Sequence, residues 1–118
     1  RAALQIITIA DRYFEVYRRT PDFIQPHIFP GGMLPSPAAL DREYAKAGLE
    51  KVTETHFGES YAKTLAAWHG RFQTAWDDLR TMGFDDRFKR TWEYYLAACE
   101  AGFRAKCTDV TQVGLRRA

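Results

Sequence analysis

The chain is poor in the residues that most often mark a metal or redox site. It has two cysteines and three histidines among its 118 residues. Cys99 and Cys107 have a spacing that fits neither a CxxC redox pair nor a four-ligand zinc site, so we predict two reduced, mostly buried thiols and a cytoplasmic protein. His27, His56 and His69 show no metal-ligand spacing, and each is predicted to be a surface or packing residue. Metal catalysis is therefore not expected.

Long hydrophobic runs and a strong net charge are also missing. The chain contains no stretch of about 18 apolar residues and no signal segment, so any membrane contact is expected to be peripheral. Its net charge is +2, and its lysines and arginines form no stripe, which argues against nucleic-acid binding. The arginine pairs at positions 18–19 and 116–117 are interpreted as solvated, with contact to an anionic membrane surface as the alternative.

Three common enzyme motifs do not occur in these residues: the GxGxxG fingerprint, the P-loop and the GxSxG elbow. What the chain does contain is typical of a folded protein, with 46% hydrophobic and 27% charged residues. Its 14% aromatic content is high, and large rings supply the buried area that a short chain needs. The composition predicts one small domain, or a piece of a larger one.

The beginning of the chain predicts a strand followed by irregular structure. Leu4 to Ile9 is a β-branched run, which we interpret as a buried strand of a parallel sheet. Because an interior strand needs neighbours, we expect that elements preceding it are missing and that residues 1–118 are a fragment. Asp11 to Arg19 is expected to form one or two helical turns. Prolines at positions 21, 26, 30, 35 and 37 argue against a long helix in the next segment.

The middle of the chain carries clear start and stop signals. Ser36 and Pro37 are favourable at the start of a helix and Gly48 just after its end, so we predict a helix from about Pro37 to Ala47. The segment from Leu49 to about Phe57 is rich in valine and threonine but also charged. It is predicted to be a strand with one face or end in water.

Two aromatic stripes at helical spacing follow. The first ends near Gly83, and the second begins after a predicted cap at Asp85 and Asp86. We predict two antiparallel helices joined by a short turn, with the stripes packed against each other and a sheet. Cys107 to Leu115 is predicted to be a closing strand, so the element order is β, loop, α, β, α, α, β. The stripes consist of Leu65, Trp68, Phe72, Trp76 and Leu79 in the first helix and Phe88, Trp92, Tyr95, Cys99 and Phe103 in the second.

Three motifs resemble a known family. They are Phe29-Pro30-Gly31-Gly32, a Phe-Gly-x-x-Tyr-x-x-Thr-Leu-x-x-Trp run over residues 57–68, and the segment 87–104. In this order they resemble the carboxy-terminal part of cyclopropane-fatty-acyl-phospholipid synthases, which are S-adenosylmethionine-dependent class I methyltransferases. The resemblance implies an α/β fold over residues 1–118: the carboxy-terminal part of a Rossmann-like sheet, about three strands, with an inserted antiparallel helix pair. It also implies that the last strand is antiparallel and lies between the other two.

The resemblance implies roles for four residues. Phe29 matches the family's ring beside the sulfonium of S-adenosylmethionine, where an aromatic face attracts positive charge. Tyr61 matches the tyrosine whose hydroxyl helps to hold a bicarbonate ion, which serves as the base. Family members carry a His-Thr-Ile run at the first strand, where this chain has Gln5 to Ile9. Gln5 is expected to replace the histidine, and backbone groups near Ile7 to complete the anion site; the alignment admits a shift of two residues. The difference leaves open a cyclopropane or a methyl-branched product.

Two functions follow as alternatives. The first is a fragment, inactive by itself, of an enzyme that transfers a one-carbon unit to the cis double bond of unsaturated phospholipid acyl chains at the membrane periphery. The second is a stand-alone lipid- or protein-binding module. The fragment predicts an exposed edge at Leu4 to Ile9 and a homodimer formed through it, whereas the module predicts a monomer with that strand covered.

Overall fold

The computed structural model describes all residues, 1–118. They form a three-stranded antiparallel sheet with helices on both faces. The elements are β1 (Ala2–Ile9), α1 (Asp11–Arg19), α2 (Ile24–His27), α3 (Pro37–Lys46), β2 (Leu49–His56), α4 (Gly58–Thr74), α5 (Trp76–Thr81), α6 (Asp86–Arg104) and β3 (Thr108–Arg117). None of the helices combines the length and apolar character that crossing a membrane requires.

The strand order confirms the topology that the resemblance implies. The sheet order is β1-β3-β2, and β3 is antiparallel to both neighbours. Successive residues of β3 point to opposite faces of the sheet. Val110 therefore packs with α4 and α6 on one face, while Val113 and Leu115 pack with Tyr44 of α3 on the other. The predicted helix pair, inserted between β2 and β3, covers the first of these faces.

The interpretation of β1 as a buried strand of a parallel sheet is wrong. β1 pairs antiparallel with β3 alone, and only Thr8 and Ile9 in it are buried. A β-branched run predicts extended backbone, but the pairing direction depends on distant residues that a local pattern does not report. The other edge of β1 is unpaired, and the β1 residue Leu4 is 41% exposed.

The predicted caps are confirmed. The Ser36 hydroxyl accepts a hydrogen bond from the Ala39 amide at 3.2 Å, and Asp85 Oδ1 accepts one from the Phe88 amide at 2.8 Å. Gly48, just after α3, has a φ of +67°, which glycine adopts without strain. These local signals set the starts of α3 and α6 and the end of α3.

The first aromatic stripe belongs to two helices rather than one. α4 ends at Thr74, and α5 begins at Trp76. The Thr74 hydroxyl donates to the Gly70 carbonyl oxygen at 3.1 Å in the last turn of α4, a bond of the kind that Thr64 makes within the same helix without interrupting it. Trp76 remains buried after the break. Because the break preserves the spacing of the stripe, periodicity alone does not reveal it.

Candidate functional site

The loop before α3 presents Phe29 at a tight turn. The Gly32 amide donates to the Phe29 carbonyl oxygen at 2.9 Å, with Pro30 and Gly31 between them. Gly31 has a φ of +80°. Proline followed by a residue with positive φ is the pattern of a type II turn. The turn leaves the Phe29 side chain 58% exposed, so its ring is available to a ligand.

Phe29 lies against Tyr95 of α6. The two ring centroids are 6.2 Å apart, with an angle of 72° between the ring planes. Trp92, one turn earlier in α6, also contacts Tyr95, and the two ring centroids are 5.1 Å apart. Edge-to-face and tilted contacts of this kind are favourable between aromatic rings. The loop is thereby attached to the helix pair.

Tyr61 of α4 packs against the same buried core as Tyr95, formed by Ala62, Leu65, Leu96, Phe103 and Val110. Its ring packs on Phe103 at a centroid distance of 5.2 Å and on Trp68 at 6.1 Å. Burial raises the pKa of Tyr95, and Cys99 and Tyr61 raise it further. We call Phe29, Tyr61, Trp92, Tyr95 and Cys99 the Tyr95 cluster.

Gln5 and Ile7 lie on the sheet and outside the Tyr95 cluster. The side-chain oxygen of Gln5, Oε1, accepts a hydrogen bond from Gln112 Nε2 at 2.9 Å. Gln5 lines a cavity of about 380 Å³ over the uncovered part of the sheet face, and neither Phe29 nor Tyr61 lines it. Ile7 is two residues further on and pairs with Val110. The structure thus places Phe29 against Tyr95 and packs Tyr61 and Tyr95 on one core cluster, and it leaves Gln5 apart from them.

The α4 N-terminus is occupied by a side chain that the sequence analysis missed. Asp109 Oδ1 accepts a hydrogen bond from the Gly58 amide at 2.9 Å, and Asp109 Oδ2 lies 2.8 Å from His56 Nδ1. Free amides at the start of a helix favour an anion, and the Gly58 amide is bound by this carboxylate. No group of His, Cys, Asp and Glu side chains is arranged to hold a metal ion.

Cys99 is expected to react slowly with alkylating reagents. Burial raises the pKa of its thiol from 9.0 to about 11, with a smaller effect of Asp22. The thiolate is the nucleophile, so at pH 8 its fraction falls about 100-fold relative to an unperturbed thiol. Iodoacetamide labelling followed by peptide mass spectrometry measures this in the native chain, with the guanidinium-unfolded chain as control. Equal rates in the two states would contradict the assigned burial.

Named relatives of the chain modify lipids. The chain is 43% identical over 116 residues to tuberculostearic acid methyltransferase of Mycobacterium tuberculosis, covering 98% of this chain and 27% of the relative. It is 36% identical over 95 residues to cyclopropane-fatty-acyl-phospholipid synthase of Escherichia coli, covering 80% of this chain and 24% of the relative. The chain therefore spans about a quarter of the length of these relatives.

Solved structures share the fold. A cyclopropane synthase from Mycobacterium tuberculosis superposes with a TM-score of 0.82 at 26% identity, over 96% of this chain and 42% of that one. A mycolic acid cyclopropane synthase complexed with SAH and CTAB gives a TM-score of 0.83 at 25% identity, with the same coverage. The predicted fold class, part of a class I methyltransferase sheet with an inserted helix pair, is confirmed.

The family assignment comes from a match over nearly the whole chain. Residues 1–113 match the family model described as mycolic acid cyclopropane synthetase. The match includes all three motifs that carry the resemblance, the whole of β1 and β2, and β3 as far as Val113. The chain therefore belongs to the mycolic acid cyclopropane synthetase family.

Proposed function

We propose that residues 1–118 form the carboxy-terminal part of an S-adenosylmethionine-dependent enzyme, cytoplasmic and peripheral to the membrane. The enzyme transfers a methylene or methyl carbon to the cis double bond of phospholipid acyl chains. The observation that supports this best is that Phe29 contacts Tyr95, while Tyr61, distant from Phe29 in sequence, packs against the same core cluster as Tyr95. The names of the relatives, all lipid-modifying enzymes, agree with this substrate class.

Phe29 is the residue proposed to face the cofactor. When bound, S-adenosylmethionine supplies an electrophilic methyl carbon on a positively charged sulfur. The Phe29 ring fits such a group because it is more than half exposed and is fixed on one side by Tyr95. A cation over an aromatic face gains about 0.5 to 2 kcal/mol. The ring also holds water away from the positive charge that develops on the acyl chain.

Tyr61 is proposed to hold bicarbonate, which supplies the base, whereas Gln5 and Ile7, which lie on the sheet apart from Tyr61, are assigned to that ion by the resemblance alone. Tyr61 is partly exposed, and its hydroxyl can donate a hydrogen bond to an anion. Gln5 uses its carbonyl oxygen toward Gln112, which leaves its amide group free to donate. In this proposal Tyr61 keeps the proton acceptor near the carbon that loses a proton. Residues upstream in the relatives' longer chains would supply the remaining contacts.

A chimaera tests the proposed function. Residues 1–118 replace the matched segment of tuberculostearic acid methyltransferase, and the product is incubated with methyl-labelled S-adenosylmethionine and vesicles of dioleoyl phospholipid. We expect label in the acyl chains, and none with the 118-residue chain alone. Mass spectrometry of the released acids separates cyclopropane from methyl-branched products. A folded chimaera that transfers nothing, while the parent enzyme does, would overturn the proposal.

Replacing Phe29 by leucine is expected to lower transfer by the chimaera about 10-fold. Leucine keeps an apolar side chain at the turn but removes the aromatic face, and the loss corresponds to about 1.4 kcal/mol of cation attraction in the transition state. The initial rate of label transfer measures it. Phe84→Leu is the matched control, because Phe84 is 41% exposed and packs on Phe88, which separates it from Trp92 of the Tyr95 cluster. Equal losses in the two variants would remove Phe29 from the site.

The isolated chain is proposed to form a homodimer through β1. Its outer edge presents unpaired backbone groups, and such edges associate with one another. Light scattering is expected to show a dimer that Leu4→Lys converts to a monomer, since a charge on an edge strand opposes pairing. A monomer at all concentrations, with slow exchange of the β1 amides, would favour the stand-alone binding module instead.

A further inference from the structure

The carboxylate of Asp109 ties together three elements. It lies near the start of β3, and its Oδ1 atom accepts hydrogen bonds from the Gly58 amide at 2.9 Å and from the Val110 amide at 2.8 Å. Its Oδ2 atom lies 2.8 Å from Nδ1 of His56, the last residue of β2. Since a carboxylate accepts only, His56 Nδ1 is the donor in this pair. One side chain thus joins the end of β2, the start of α4 and the start of β3.

The carboxylate of Asp109 leaves no room for a side chain at position 58. A Cβ atom at position 58 would lie 2.5 Å from Asp109 Oδ1 and 3.2 Å from Asp109 Cα. Both distances are too short for an unstrained contact, and the second involves backbone that moves only with β3. Glycine is a poor helix former. Its presence at the first position of α4 is explained by the close approach of Asp109.

The Asp109 contact lies one helical turn before Tyr61. The Tyr61 amide donates to the Phe57 carbonyl oxygen at 3.0 Å in the first turn of α4, and the Phe57 amide donates to the Val110 carbonyl oxygen at 3.0 Å. Helix side chains lean toward the N-terminus, so the position of the Tyr61 ring depends on how this turn is held. Its packing on Phe103 fixes the other side of the ring.

We infer that Asp109, oriented by His56, is a positioning residue that sets the Tyr61 hydroxyl at the reaction site. This inference rests on the proposed function of Tyr61. Asp109 does not touch the reacting groups. It holds the first amide of α4 against the sheet, so that this amide does not bind the anion. Asp109 would therefore position the first turn of α4, and that turn would position the Tyr61 hydroxyl.

Amide exchange and NMR on the 118-residue chain test the inference without any activity. In Asp109→Ala, the Gly58 and Tyr61 amides are expected to exchange at least about 10-fold faster, and the Tyr61 ring resonances to shift. Asp109→Asn keeps an oxygen for the Gly58 amide and is expected to restore both. Asp85→Ala is the matched control, since it removes the cap of α6 and should alter only the signals near Phe88. Unchanged Tyr61 signals in Asp109→Ala would overturn the inference.

A second variant covers the case in which Asp109→Ala does not fold. Gly58→Ala keeps the Asp109 carboxylate, but the added methyl group displaces that carboxylate from the start of α4. We expect the same Tyr61 resonances to shift in this variant. Unchanged Tyr61 resonances would also overturn the inference. In the chimaera, Asp109→Ala is expected to lower kcat about 10-fold with KM for S-adenosylmethionine unchanged, and Asp109→Asn to recover most of it. If the chimaera without further substitutions transfers no label, the proposed function alone is overturned, because the NMR result decides the role of Asp109.

Discussion

A chimaera carrying Tyr61→Phe is expected to transfer the labelled carbon at least about 100-fold more slowly than the unaltered chimaera. The substitution removes one hydroxyl and keeps the ring that packs on Phe103 and Trp68. Removing one preorganised hydrogen-bond donor from an anion site costs about 10²–10³ in kcat. The rate of transfer at saturating S-adenosylmethionine measures this loss.

A matched tyrosine makes this expectation specific. Tyr94 is 57% exposed on α6 and packs its ring on Phe23, at a centroid distance of 4.6 Å. Tyr94→Phe removes the same atom outside the Tyr95 cluster and is expected to leave the transfer rate unchanged. A loss below threefold in Tyr61→Phe, or an equal loss in both variants, would show that the Tyr61 hydroxyl does not hold the proton acceptor.

Most of the helix boundaries are encoded in local signals, and the helix starts predicted from these signals are confirmed. Ser36, Pro37 and Asp85 place helix starts because capping needs only residues within one turn. The interruption after Thr74 is not predictable from periodicity, because the break between α4 and α5 leaves the aromatic spacing intact. The pairing direction of β1 is not predictable locally, because it depends on residues 99 to 113 positions away in sequence.

The candidate site was only partly predictable. Phe29 and Tyr61 were singled out by family motifs, whereas no local pattern connects either residue to Tyr95. Asp109 lies 51 residues from Gly58, so its carboxylate could not be assigned to that amide. One signal was available in retrospect. A glycine at the first position of a long helix is unfavourable, and it indicates that another group approaches the backbone closely there.

Leu65→Ala is expected to lower the free energy of unfolding by about 2–5 kcal/mol. Leu65 is 2% exposed and packs with Ala62, Leu96, Phe103 and Val110 between the helix pair and the sheet. Shortening it removes apolar contacts and leaves a cavity that a close-packed core fills only partly. Such a loss is a large share of the roughly 5–15 kcal/mol that stabilises a typical domain.

Urea denaturation followed by far-ultraviolet circular dichroism measures this change, and Leu4→Ala supplies the comparison. Leu4 is the same residue type but is 41% exposed at the edge of β1, so its truncation is expected to cost less than about 0.5 kcal/mol. Similar midpoints for the two variants would mean that the helix pair does not pack on the sheet through Leu65. In that case α4 would lack a fixed position, and Tyr61 could not be held on the core cluster that it shares with Tyr95 by the packing described above.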